Sequence, residues 1–499
     1  MVHGSSPRRI LAICLAVVPL LGGPARAQSL SERIEAVMRS SPAAERASWG
    51  IEVFDPAANE ILFALSGNRL FLPASNVKLF TTALALTRLG PDYRFATLVR
   101  ASAAPDASGR IAGDLILIGG GDPLLSARQT PYKKGPVTGN PLQAIEELAD
   151  QVAARGVRRI DGDILGDDTR YAWEPHPEGW TSDDAAWDFA APVSALVVND
   201  GAIALTLRAK QPGQPPEIAL APPLEWFSID SRVRTGAGLE TKVLLERLAG
   251  SRQVRLWGTL ASGSETKLSL AVDDPAAYAA QALQDALERR GIAIRGRALA
   301  RHCYANQQDC QALPADPGIK LARRESPPLL EALRIIDKAS LNVHAEAVLR
   351  EVGRLNSATG TSEAGLREMG TFLTGIGIEP GAYNLADASG LSRYNLVTPD
   401  ALVKLLAYMY RSPYREQWIS LLPLGGEDGT LENRFSGSPA AHRIHAKTGS
   451  IEHAMALSGY ANSRTRGTLV FSILVNDFVA PAADKRALID KIALIVAGE

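Results

Sequence analysis

The sequence predicts an α/β (α+β) fold in which the two ends of the chain build one domain and the middle is inserted into it. Three observations predict this. Helical and strand patterns mix in residues 28–95 and again in 320–499. Between about Val193 and Val272 strands are frequent and helices nearly absent, with turns at Gln214-Pro215-Pro216 and Ala221-Pro222-Pro223. Finally, Ser75-Asn76-Val77-Lys78 and Ser340-Leu341-Asn342 must share a pocket if they share a reaction, yet they stand more than half the chain apart. An insertion at a surface loop accommodates that separation, because the chain re-enters near where it left.

Taken in order, residues 1–27 have the layout of a secretory signal. Arg8 and Arg9 precede an apolar run from Ile10 to Leu21, and Ala25-Arg26-Ala27 ends it before Gln28. The run is too short to span a bilayer, so the sequence predicts cleavage after Ala27 and export to the periplasm. Ile51 to Phe54 and Ile61 to Leu65 alternate as a strand pair around Asp55-Pro56. A helix is expected from close to Ser75 until Gly90-Pro91 stops it. Asp114 to Ile118 reads as a strand, Pro141 to Ala154 as an amphipathic helix ended by Gly156, and Asp274-Pro275 opens a helix that runs to Arg290. Helices are expected over Pro328–Lys338 and Val343–Val352, followed by a hairpin of Met455–Asn462 and Thr468–Asn476 and a closing helix.

Composition excludes some functions. The chain has 53 basic and 54 acidic residues with no basic block, which is not the electrostatic footprint of a nucleic-acid binder. After the leader only Cys303 and Cys310 remain; in an oxidising compartment they are read as a small disulfide loop, with two separate thiols as the alternative. His442 and His445 lack a second pair at metal-ligand spacing, and Gly119-Gly120-Gly121-Asp122 lacks the Lys-Ser/Thr of a phosphate loop. No Gly-x-Ser-x-Gly elbow is present.

Three strings carry chemistry: Ser75-x-x-Lys78, Ser340-x-Asn342 and Lys447-Thr448-Gly449. Three residues apart on a helix, Lys78 faces the Ser75 hydroxyl, and the helix N-terminus favours a developing oxyanion there. To accept the serine proton near pH 7, the Lys78 amine must fall by roughly 3 pH units from its free value of about 10.4, through burial and a neighbouring cation. Lys447 could supply that cation; alternatively Lys78 stays charged and the proton relays through Ser340. A second Ser-x-x-Lys, Ser264 to Lys267, serves as an internal control. It leads into an alternating strand, where residues three apart face opposite sides. If Lys447-Thr448-Gly449 lies on an edge strand, that strand can pair with an extended peptide while Lys447 and Thr448 hold a carboxylate. Gly449 would let the substrate backbone approach closely.

These strings, with Gly120-Gly121-Asp122-Pro123, Gly179-Trp180, Ala190 to Leu196 and Ser389-Gly390-Leu391-Ser392-Arg393, make the chain resemble the class C low-molecular-mass penicillin-binding proteins, the D-alanyl-D-alanine carboxypeptidase/endopeptidases of peptidase family S13. The resemblance implies a transpeptidase-like domain, an antiparallel sheet flanked by helices, with two smaller inserted domains, one mostly β. Residues 28–95 and 320–499 would form the first, 96–192 and 273–319 the second, and 193–272 the third. It implies Ser75 as nucleophile, Lys78, Ser340 and Asn342 as its proton-handling and positioning partners, and Lys447, Thr448, Gly449 and Ser450 around the substrate carboxylate. Asp167 and Arg393 would read the free end of a diaminopimelate side chain. Peptidoglycan stem peptides are the implied partners and β-lactams the implied inhibitors. No cofactor is implied, peripheral membrane contact is left open, and the oligomeric state is not set. One departure stands out: Ala388 replaces a usual glycine and would be strained at a positive φ.

Two other functions compete. A serine β-lactamase would share the three strings, but no Glu-x-x-x-Asn lies between Ser340 and Lys447 to activate a deacylating water. A non-catalytic peptidoglycan-binding module is the other.

Overall fold

The computed structural model describes Met1, Gly4 and residues 28–498, except 239, 249 and 305–317. Apart from Met1 and Gly4, the predicted leader lies outside the described residues, as does Cys310. Cys303 is buried and disulfide-bonded.

The two ends of the chain meet in one five-stranded antiparallel sheet, in the order 444–451, 454–462, 468–476, 48–55, 60–65. The strand carrying Lys447 is an edge, as its proposed pairing with a peptide requires. The strands Ala454–Asn462 and Thr468–Asn476 are buried nearly throughout because both sheet faces are covered. On one face lie the first and last helices, Leu30–Met38 and Ala482–Gly498, packed around Trp49, Ile473 and Ile492. On the other lies the helical layer of the site.

At the centre of that layer is the helix Val77–Arg88, in which every residue from Val77 to Leu86 is buried. It has no polar face because it is enclosed by Leu329–Ala339, Asn342–Gly353 and Pro399–Arg411, whose Leu333, Ile336, Val348 and Leu402 join its Phe80, Leu84 and Leu86 in one cluster. Full burial of each such leucine or phenylalanine contributes roughly 1.5–3 kcal/mol.

A second five-stranded sheet, in the order 298–303, 164–172, 115–118, 96–101, 319–325, is mixed and has the helices Gln143–Ala154 and Pro275–Arg289 against it. The boundary expected at residue 320 falls inside Ile319–Glu325, which pairs with Ala96–Ala101. Residues 202–271 form two three-stranded sheets around Leu205, Val254 and Leu256. Lys267 of the control string lies on the strand Glu265–Ala271, exposed and paired with Glu265, and is excluded from the chemistry. No helix among the described residues is long and apolar enough to cross a membrane.

Candidate active site

The helix is expected to begin close to Ser75. It does: Ala74–Asn76 form a single 3-10 turn through Ser75, and the α-helix follows from Val77. Ala74 has φ 47°, Ser75 on this turn is half-buried, and Lys78, three residues on, is fully buried. Lys78 Nζ donates to Ser75 Oγ at 3.0 Å, to Asn342 Oδ1 at 2.6 Å and to the Ser389 carbonyl at 2.6 Å. Three acceptors around one amine fix its direction. Burial first, and then the Lys447 charge, push the Lys78 amine down to about 7, with Asp387, Asp337 and Glu346 opposing.

The second string closes the pocket from the facing helices. Ser340 ends the Leu329–Ala339 helix at φ 59°, and Asn342 opens the next helix. A non-glycine residue in the left-handed region is strained, which is common where side chains must be aimed at a site. Asn342 uses both ends of its amide: Oδ1 accepts from Lys78, and Nδ2 donates to the Phe189 carbonyl at 2.7 Å. Phe189 belongs to the inserted part of the chain, so the insertion itself orients a site residue.

The third string forms the opposite wall. Lys447 is fully buried, and its Nζ donates to Ser340 Oγ at 2.9 Å and to the Thr448 carbonyl at 3.0 Å. Ser340 is thus paired with Lys447, while Asn342 pairs with Lys78. Thr448 Oγ1 donates to Thr430 Oγ1 at 2.8 Å, and Ser450 is exposed at the strand end. Asn76 Nδ2 donates to the Lys447 carbonyl at 3.1 Å and ties this strand to the serine turn. The sequence assigns Gly449 to substrate approach; the structure gives the glycine a second reason. A Cβ there would lie 2.6 Å from the Pro73 carbonyl and 3.2 Å from Ala74 Cβ, so the space glycine makes is filled by the serine turn.

Behind the pocket lies a set of charges that the three strings do not include. Asp337, Glu346, Arg350 and Asp387 are fully buried. Asp387 organises the loop that supports Lys78. It accepts from the backbone N–H groups of Gly390 and Ser392 at 2.8 Å, from Asn395 Nδ2 at 2.7 Å and from Trp180 Nε1 at 2.9 Å. Glu346 accepts from the Ala388 N–H at 2.8 Å and lies 3.6 Å from Arg350, and burial followed by Asp387 raises its carboxyl to about 8. The positive φ of this loop falls at Gly390 (84°) and not at Ala388, so alanine is accommodated without strain.

Arg393 lies on the same loop, its N–H donating to the Gly179 carbonyl at 3.2 Å. Asp167 is held elsewhere: its carboxylate accepts from Thr169 N–H and Oγ1 at 3.0 and 2.6 Å and lies 3.7 Å from Arg301. His442 is exposed near Glu427, and among the described residues no group of three His, Cys, Asp or Glu side chains is placed to hold a metal.

A family model described as the D-Ala-D-Ala carboxypeptidase 3 (S13) family matches residues 30–498. A D-alanyl-D-alanine carboxypeptidase from an Actinomadura species is 35% identical over 471 residues, covering 92% of this chain and 83% of that protein. The D-alanyl-D-alanine carboxypeptidase DacB of Haemophilus influenzae is 26% identical over 433 residues, 84% of this chain and 83% of that protein. The crystal structure of penicillin binding protein 4 from the same organism superposes with a TM-score of 0.78 at 25% identity, covering 92% of this chain and 97% of that one.

Proposed function

The chain belongs to the D-Ala-D-Ala carboxypeptidase 3 (S13) family, and on that premise we propose that Ser75 is the nucleophile of a serine D-alanyl-D-alanine carboxypeptidase/endopeptidase acting on peptidoglycan stem peptides and cross-links. The observation that carries this reading is the 3.0 Å contact between Ser75 Oγ and an amine that burial pushes down to about 7. Lys78 as the free amine takes the Ser75 proton as the oxygen attacks the penultimate D-alanine carbonyl. The backbone N–H groups of Ser75 and Ser450 stabilise the oxyanion. Lys447, Thr448 and Ser450 receive the terminal carboxylate, and Asn342 holds the substrate amide while fixing Lys78. The proton taken up by Lys78 is relayed through Ser340, which Lys447 holds, to the leaving amine, so that Lys78 is again a free amine able to take a proton from the attacking water. Water then cleaves the acyl-enzyme. Arg393, on the loop behind Lys78, and Asp167, by resemblance to the family, are assigned to the diaminopimelate end. The predicted leader supports a periplasmic location for the enzyme.

A β-lactam presents the same carbonyl in a strained ring and acylates Ser75. Labelled penicillin should leave a long-lived adduct on the peptide containing Ser75, read by mass spectrometry; rapid release of penicilloate instead would make the chain a β-lactamase.

The pH dependence has a definite sign. Because the Lys78 pKa is lowered, the base form exists above about pH 7 and is lost below it. The acylation rate constant should fall about tenfold per unit on the acid side and level off above. A flat profile from pH 5 to 8 would count against Lys78 as the base.

A further inference from the structure

Asp337 lies outside the three strings and is fully buried among the groups that decide the charge of the site. Lys78 approaches from the Val77–Arg88 helix and Lys447 from the edge strand, and Lys338 lies beside Asp337 on its own helix. Asp387 and Glu346 face Lys78 from the loop and from the next helix. One carboxylate oxygen, Oδ1, is buried without a hydrogen-bond partner. The other, Oδ2, lies 3.0 Å from Thr82 Oγ1, which is also 2.7 Å from the Lys78 carbonyl.

A threonine hydroxyl has one proton and two lone pairs. It can donate to an ionised Asp337, or donate to the Lys78 carbonyl while accepting from a protonated Asp337. Thr82 therefore satisfies both states of the acid, and neither is excluded by a lost hydrogen bond. A buried carboxyl beside two buried lysines also changes what the lysines feel. Ionised, it is a counter-charge that favours the cationic form of both; neutral, it leaves Lys78 beside the positive Lys447 with one counter-charge fewer, Asp387 and Glu346 remaining. Burial raises this carboxyl, against Lys447, Thr82, Lys78 and Lys338, toward the range in which both states are populated.

We propose that Asp337 is a positioning residue for the serine–lysine pair: through Thr82 it takes either protonation state, and its charge sets the pH at which Lys78 becomes a free amine. This rests on the reading of Lys78 as the base, and it adds a site residue that the three strings do not contain.

The test follows the acylation rate constant for a fluorescent penicillin between pH 5 and 9. Asp337→Asn is a near-isosteric neutral copy whose amide can donate to Thr82, so the protein should fold. Its acid limb is expected to move at least half a pH unit lower, with the plateau within about threefold of wild type. Thr82→Val removes the hydrogen bond of both states, but the charge-assisted one to the ionised carboxylate is the stronger, so the limb should move the same way by less, and Thr82→Ser should not move it. Limbs of Asp337→Asn and Thr82→Val that overlay the wild type, or move upward, overturn the inference while leaving Lys78 in place if Lys78→Ala is inactive. Acylation of Lys78→Ala at the wild-type rate removes the base itself, and the inference with it.

Discussion

Ser75→Ala is expected to abolish D-alanine release from a pentapeptide muropeptide, with a loss in kcat on the order of a millionfold, the scale seen when a serine nucleophile is removed from a hydrolase. The fold should survive the change. Ser75 is half-buried, and the Lys78 amine that loses Oγ keeps Asn342 Oδ1 and the Ser389 carbonyl as acceptors. No buried charge is orphaned, so the stability change should stay within about 1 kcal/mol. Binding can then be separated from chemistry, because the Lys447 and Thr448 wall remains intact and the variant should still retain the stem peptide. Equal D-alanine release by both proteins would exclude Ser75 as nucleophile, and a non-catalytic wall-binding role would then be preferred.

Gly390→Ala should have the next largest effect, although residue 390 carries no chemistry. Its φ is 84°, and a Cβ would lie 1.9 Å from the Ala74 carbonyl oxygen, 2.4 Å from its carbon and 2.9 Å from Ser75 N. These are backbone atoms, so no side-chain rotation relieves the clash; the serine turn itself must move. A displacement of about 1 Å at a reacting atom costs on the order of a hundredfold in rate, so penicillin acylation should fall at least that far. The left-handed strain and the displacement together should lower stability by about 1–3 kcal/mol, read as a lower melting temperature. Gly381→Ala is the control. Nothing lies within 4 Å of its added Cβ, and its φ is not positive, so both measurements should match the wild type. Unchanged acylation in Gly390→Ala would mean that the loop does not support the nucleophile.

Much of the site was legible because its residues sit in regular elements whose geometry is local. Ser75 and Lys78 are one turn apart whether the serine lies on an α-helix or, as here, on a 3-10 turn leading into one. Lys267 of the control string was separable for the same reason: its strand cannot turn Ser264 and Lys267 to one side. The left-handed Ser340 was not legible, since nothing in Ala339-Ser340-Leu341 requires a positive φ. The buried acids were missed although a signal existed. Asp337 follows Leu333 by four positions on an otherwise apolar helix face, and Glu346 precedes Arg350 by four within a helix buried throughout. A charge on an apolar stripe reads equally well as an error in helix phase, and only the packing of a second helix against it distinguishes the two.

The sequence by itself singled out the candidate reacting groups and their order and led to the expectation that the chain's two ends join around an insertion, because residue type and local periodicity carry that information. The family was legible as a resemblance in its motifs. Tertiary structure alone decided which polar group holds which: Asn342 between Lys78 and Phe189, Ser340 on Lys447, Gly449 against Pro73, and Gly390 against Ala74. It also decided the charge of the lysines. An amine falls to about 7 only when neighbouring elements remove water from it and bring a second cation close, and neither condition is written in the four residues around it.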